Sequence, residues 1–273
     1  MNGAVMRRVL EYASMFDLPV MLHEEDLNLS ANGTMNEGYW STHLGLPGIP
    51  PAAEEVMIAR DLILAERTGG RIHIQHVSTE GAVDLIRSGK RRGIQVTAEG
   101  TPHHFTLTDE AVCGYRANAK MNPPLRTERD RAAVIEGLSD GTLDVIATDH
   151  APHTHHEKER EFDLAPFGII GLETLFPLTY SKLVLKKHLT LSDAVAKMTV
   201  RSAEALGLQK GTLRKGADAD VTIVDLDLKR VYTKEEIESK SKNSPFIGAE
   251  LQGWPVGTVV GGRIVMKNRK IVV

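Results

Sequence analysis

Apolar residues recur at helical spacing from the start of the chain. Val5, Val9, Ala13 and Phe16 follow one another at steps of three and four, with Arg7, Arg8 and Glu11 between them, which predicts a helix over 3–17 with those four facing inward. The run Pro19-Val20-Met21-Leu22-His23 follows a turn signal and reads as a short buried strand ending in histidine. Pro50-Pro51 with Glu54-Glu55 is a helix start and Gly69-Gly70 a stop, so the stretch carrying Val56, Ala59 and Ile63 should be helical. A second strand is expected over 71–76, again ending in histidine, then a helix over 79–90 with Ala82, Leu85, Ile86 and Gly89 on one side. A third strand over 94–99 leads into a long loop holding Thr101-Pro102-His103-His104 and Asn122-Pro123-Pro124-Leu125-Arg126. Thr127 can cap a helix to about Leu138, with Asp130 completing a capping box. A fourth strand over 143–148 runs into Asp149-His150.

Repeated strand-helix alternation implies parallel strands joined by right-handed crossovers. A doubly wound sheet normally carries a glycine-rich phosphate turn, and G-x-G-x-x-G is absent. A (β/α)8 barrel instead gathers its chemistry at the C-terminal strand ends, where His23, His76 and Asp149 fall. With four such strands in view, the chain reads as the second half of a barrel over 1–208, beginning in a helix whose own strand is absent. Helices over 171–187, kinked or divided at Pro177, and over 191–207 close this region. The texture then changes: 219–225, 257–260, 263–266 and 270–273 are short and valine-rich, separated by Gly or Asn, as in a small antiparallel β unit over 209–273.

Charge narrows the function. Lys and Arg number 33 against 36 Asp and Glu, a net charge of -3 that offers no broad basic field to nucleic acid or an anionic membrane. The single cysteine, Cys113, cannot form an internal disulfide, and the chain start does not resemble a signal peptide, so a reducing cytoplasm is the expected setting.

Chemistry must then come from a localised site. Imidazole nitrogen and carboxylate oxygen are usual ligands of zinc, and His23, His76 and Asp149 supply them from three strand ends. Each alone is weak evidence; their equivalent positions carry the inference. His155 and His156 lie among Glu157, Lys158, Glu159, Arg160 and Glu161 and read as a solvated loop, whereas His103 and His104 stay open between ligand and structural roles beside a loop expected to be mobile. Cys113 reads as a packing residue, and no G-x-S-x-G elbow is present.

The motifs Pro19 to Asp26, His76-Val77-Ser78-Thr79, Asn122 to Arg126, Ala147 to His153 and Phe167 to Thr174, taken in order, resemble bacterial-type dihydroorotases of the amidohydrolase superfamily. Lys215 to Asp220 and Asn243 to Phe246 resemble that family's closing β domain, a composite β-sandwich. The resemblance implies an α/β fold, the C-terminal half of a TIM-type metal-dependent hydrolase barrel, with strands five to eight of the eight. It implies that His23 and His76 bind one zinc and Asp149 another, that Asp149 moves the catalytic proton, and that Asn122, His153 and the main chain of Phe167 and Gly168 hold the substrate. It further implies reversible cyclisation of N-carbamoyl-L-aspartate to dihydroorotate in pyrimidine biosynthesis, and it admits a homodimer or aspartate carbamoyltransferase as partner. Hydantoinases and dihydropyrimidinases share individual motifs, and a non-catalytic scaffold is the remaining alternative. The family's His-x-His pair, its substrate-binding arginine and its metal-bridging aspartate or carboxylated lysine have no counterpart in the chain, so an incomplete enzyme is expected.

Overall fold

The computed structural model describes residues 2–272. Helix α1 (Gly3–Ser14) opens it, capped by Asn2, whose Oδ1 accepts the Val5 N–H at 3.0 Å. The buried stripe is Met6 and Leu10, with Val9 packed beside them, while Val5 and Phe16 are exposed. The expected inward face is therefore rotated by about one position. The helix stops at Ser14 and Asp17 turns left-handed at φ 53°, which takes Phe16 off the helical face.

The chain then runs through β1 (Pro19–Leu22), a two-stranded parallel pair of β2 (Met35–Asn36) and β3 (Gly48–Ile49) enclosing α2 (Tyr39–Leu44), and α3 (Ala52–Thr68). Strand β4 (Arg71–Ile74), α4 (Glu80–Arg91) and β5 (Val96–Gly100) follow. Next come α5 (Pro102–Thr106), α6 (Glu128–Asp140) and β6 (Val145–Ile146). The segment after β5 is thus no continuous loop: α5 is buried throughout its first four residues, including His103 and His104. The expected capping box at α6 is present, Asp130 N–H donating to Thr127 Oγ1 and Thr127 N–H to Asp130 Oδ2.

Strands β1, β4, β5 and β6 form one parallel sheet in that order, with Pro19 opposite Arg71, Ile72 opposite Val96, and Glu99 opposite Val145. Helices α1, α3, α4 and α6 cover it through a single core that includes Leu10, Ile58, Leu62, Ile74, Ile86 and Leu138. Because every crossover returns to the same end, all four strands deliver their C-terminal residues to one rim.

Beyond α7 (His155–Lys158) and α8 (Leu175–Thr179), a π turn at Tyr180–Val184 closes on the Leu185 N–H to Tyr180 carbonyl bond of 2.9 Å. Pro177 lies in the first turn of α8, where its missing N–H costs no helical bond, so the irregularity falls after the proline and not at it. The next predicted helix is two, α9 (Leu191–Met198) and α10 (Val200–Ala205), broken at Thr199, whose φ of -132° and ψ of -94° are not helical.

The antiparallel sheet is β7 (Val221–Val231), β8 (Glu250–Val260), β9 (Arg263–Lys267) and β10 (Lys270–Ile271), with β7 and β8 much longer than their valine runs suggested. Val273, the end of the last expected strand, lies outside the described residues. A second core draws Tyr232, Phe246, Leu251 and Trp254 together with Met35, Met121, Phe162 and Leu178, so packing crosses position 208.

Candidate active site at the C-terminal strand rim

His23 follows β1 directly and His76 lies two residues beyond β4. His23 Nδ1 and His76 Nε2 face each other at 2.9 Å, with the rings edge-to-face at 4.7 Å between centroids. His76 is held at φ 35°, a left-handed conformation that few residues other than glycine adopt. Burial, reinforced by the His23 charge, lowers its pKa to about 4, so the ring is neutral at physiological pH. Its Nδ1 is buried and has no hydrogen-bond partner.

Glu99, on β5, secures this geometry. Its Oε1 accepts the His76 N–H at 3.2 Å and its Oε2 lies 3.0 Å from His73 Nε2, while His73 Nδ1 lies 2.8 Å from Thr97 Oγ1. The sequence reading did not single out Glu99, although the strand-end rule that selected His23 and His76 applies equally to it. Glu25 was also passed over. Its Oε2 accepts Asn122 Nδ2 at 3.1 Å and lies 3.4 Å from His23 Nε2, which ties Asn122 to the rim.

Asp149 lies three residues beyond β6 at φ 47°. Burial raises its carboxyl pKa, His23 opposes the rise and the Glu99 charge adds to it, so the group shares an electrostatic environment with both. Among the described residues its carboxylate makes no hydrogen bond.

His153, Phe167 and Gly168 form a separate clasp. His153 Nε2 donates to the Phe167 carbonyl at 2.8 Å, and Asn243 Nδ2 donates to the Ala151 and Gly168 carbonyls at 2.9 and 3.1 Å. Lys158 Nζ donates to the Pro166 and Gly168 carbonyls at 2.9 and 3.0 Å. Gly168 is at φ 120°, and a Cβ there would meet the Ala151 Cβ at 2.5 Å, so the position requires glycine. No hydrogen bond joins this clasp to the His23–His76 pair among the described residues.

His104 and His155 resolve differently. His104 bridges Thr101 Oγ1 at 2.8 Å and the Pro123 carbonyl at 3.0 Å, and burial lowers its pKa to about 3. Its role is to hold the loop carrying Asn122. His155 is exposed and pairs with Glu159 at 3.0 Å on α7, a short helix where a loop was expected. Arg126, from the same motif as Asn122, is buried in a network of its own. It donates to Ile49 O at 2.7 Å, Asn36 Oδ1 at 3.0 Å and Ser78 Oγ at 3.2 Å, and lies 3.8 Å from Glu54. Glu54 in turn accepts the Ser78 N–H at 2.8 Å and the Ser78 hydroxyl.

The Amidohydrolase family pattern matches residues 3–265. The chain belongs to the amidohydrolase family. This amidohydrolase is 59% identical over 271 residues to a dihydroorotase of Pelotomaculum thermopropionicum, covering 99% of the chain and 64% of that relative. It is 57% identical to a dihydroorotase of Endomicrobium trichonymphae, covering 97% of the chain and 63% of that protein. The chain thus spans less than two thirds of the length of these curated relatives. Among solved structures it superposes on an L-hydantoinase (dihydropyrimidinase) of Arthrobacter aurescens with a TM-score of 0.89 at 27% identity, covering the whole chain and 62% of that protein. A D-hydantoinase (dihydropyrimidinase) of Thermus sp. gives 0.88 at 25% identity, with the same shares covered.

The ring nitrogens of His23 and of the neutral His76 converge, and a carboxylate without a hydrogen bond lies in the same electrostatic environment. This donor chemistry suits a borderline divalent cation. Among the described residues no group of three or more His, Cys, Asp or Glu side chains is placed to hold one, so the pair forms only part of a coordination shell.

Proposed function

We propose that the chain supplies the C-terminal half of the catalytic rim of a zinc-dependent dihydroorotase. The single observation carrying this reading is the approach of His23 Nδ1 to His76 Nε2 at the end of a parallel sheet whose curated relatives are dihydroorotases. His23 and His76 would hold one zinc through those nitrogens, and Asp149 would serve the second. Bound zinc supplies Lewis acidity, making water nucleophilic near neutral pH and polarising an amide carbonyl.

The remaining steps belong to the side chains. Asp149, its carboxyl pKa raised by burial, takes a proton from the attacking water and delivers it to the departing ring nitrogen. Run backwards, the carbamoyl nitrogen of N-carbamoyl-L-aspartate attacks the side-chain carboxyl, water leaves, and dihydroorotate closes. Asn122, steadied by Glu25, and His153 would hold the polar edge of the ring with the main chain of Phe167 and Gly168. On this reading the reaction belongs to pyrimidine biosynthesis in the cytoplasm, with a homodimer or aspartate carbamoyltransferase as the partner to test. Hydantoinases share the fold, but the curated relatives favour dihydroorotate over other cyclic amides.

Turnover of dihydroorotate, hydantoin and dihydrouracil with zinc supplied, by the 273-residue chain and by the chain joined to any preceding coding sequence, tests the reading. Dihydroorotate should be preferred, and Asp149→Asn should abolish its turnover. Preference for hydantoin, or wild-type turnover by the variant, would overturn the assignment.

A further inference from the structure

A cavity of about 310 Å3 lies beside the His153 clasp, on the side of α7 and the segment leading to Asn243. Lys158, Lys234, Lys240 and Lys242 line it, with Asn118 and His153. None of these four lysines forms an ion pair with a carboxylate among the described residues. By contrast, Lys90 is paired with Asp144 at 2.6 Å, and Lys210 with Asp218 and Asp220. Four ammonium groups are thus gathered around one small cavity, Lys158 and Lys242 donating to main-chain carbonyls and none of the four salt-bridged.

The acidic groups nearby do not neutralise them. Glu159, on the cavity wall, lies 3.0 Å from His155 and forms no ion pair with any of the four lysines. Glu235 is close enough to feel Lys234 and Lys242 but forms no ion pair with either. The Asn118 side-chain amide makes no hydrogen bond, and its oxygen is buried. Oxygen and nitrogen of such an amide are interchangeable by rotation, so it can present its NH2 group as a donor to the cavity. Lys158 is buried, with two of its ammonium protons spent on the Pro166 and Gly168 carbonyls, and the buried Lys120 charge acts on it from behind. A negative charge brought into this space would meet four ammonium groups that no carboxylate holds in an ion pair.

We propose that this cavity is a binding site for a compact dianion, a phosphate or a small dicarboxylate, held by Lys234, Lys240 and Lys242 at its mouth and by Lys158 and Asn118 within. Lys158 and Asn243 both hold the Gly168 carbonyl, so occupancy would stiffen the loop that the proposed function assigns to substrate. Binding itself does not depend on that assignment: failure here leaves the rim chemistry untouched, and failure of the dihydroorotase reading leaves the cavity's charge unchanged.

Titration calorimetry of the full chain with inorganic phosphate and, separately, succinate at low ionic strength tests the proposal. Saturable one-to-one binding of at least one dianion is expected. It should weaken about tenfold or more in Lys234→Glu/Lys240→Glu, two exposed positions whose replacement should leave the unfolding temperature unchanged. Added sodium chloride should also weaken it. Phosphate without succinate would mark the site as phosphate-selective, and succinate without phosphate as a carboxylate site. No saturable binding of either, or binding equally tight in the double variant, overturns the proposal.

Discussion

Two residues apart on one loop, His76 and Ser78 belong to opposite kinds of polar cluster. Ser78 joins Arg126, Glu54 and Asn36 in a buried network where Arg126 has a partner for each nitrogen and Asn36 Nδ2 is tied on to Asp109 at 2.7 Å. His76 sits in a left-handed conformation with one buried nitrogen unpartnered and the other facing the His23 ring. Buried polar groups are normally satisfied, so the first cluster is complete in itself, whereas the second leaves a buried ring nitrogen unpaired. Polarity at the strand rim does not by itself mark chemistry; unfinished hydrogen bonding together with backbone strain separates His76 from Ser78.

The largest expected effect lies in the satisfied cluster. Arg126→Met leaves Glu54 buried without its cation and Asn36 and Ser78 short of a partner, and should cost on the order of 3–5 kcal/mol in denaturant unfolding. A loss below about 1 kcal/mol would mean that the network is not the structural element described. Glu99→Ala comes next, removing the acceptor of the His76 N–H and the partner of His73. It should destabilise by about 1–3 kcal/mol and also weaken zinc binding, measured by chelator competition, by about 10–100-fold. Equal stability loss with unchanged zinc affinity would show that Glu99 supports the barrel and not His76.

These clusters also explain what could be read beforehand. The alternating periods of the barrel half were legible because each strand and helix buries one face, and Thr127 with Asp130 announced its cap locally. His23, His76 and Asp149 were legible as strand-end positions. The division of labour between Asn122 and Arg126 was not, since both stand in one motif and only long-range partners, Glu25 for one and Glu54 for the other, separate them. The inward face of α1 was missed because Phe16 fits the period but lies past the helix end. The lengths of β7 and β8 were missed because alternating exposed and half-buried residues, as in Asp225 to Arg230, dilute the apolar signal.

Lys158 sharpens the comparison between satisfied and unsatisfied burial, being hydrogen-bonded yet without a counter-ion. Burial, with the Lys120 charge, lowers its pKa to about 8 from an ordinary 10.5. Between those values the unfolded chain holds a proton that the folded one has shed, so stability should rise with pH by up to about 1 kcal/mol per unit across pH 8 to 10.5. Below pH 8 the penalty is present in full. Lys158→Met should flatten that rise, as read from unfolding midpoints over the same range, and an unaltered slope would assign the pH dependence to other groups.

The smallest effect on stability is expected where the effect on chemistry is greatest. His76→Asn replaces a ring that has an unpartnered buried nitrogen with a residue that tolerates the left-handed region, so the lost burial of ring carbons is offset by relief at the backbone. The net change should stay within about 1 kcal/mol. Zinc affinity should fall at least about tenfold, because the neutral Nε2 facing His23 is gone. A variant that loses several kcal/mol and keeps its zinc would place His76 with Ser78 among the structural residues, and the distinction between the two clusters would collapse.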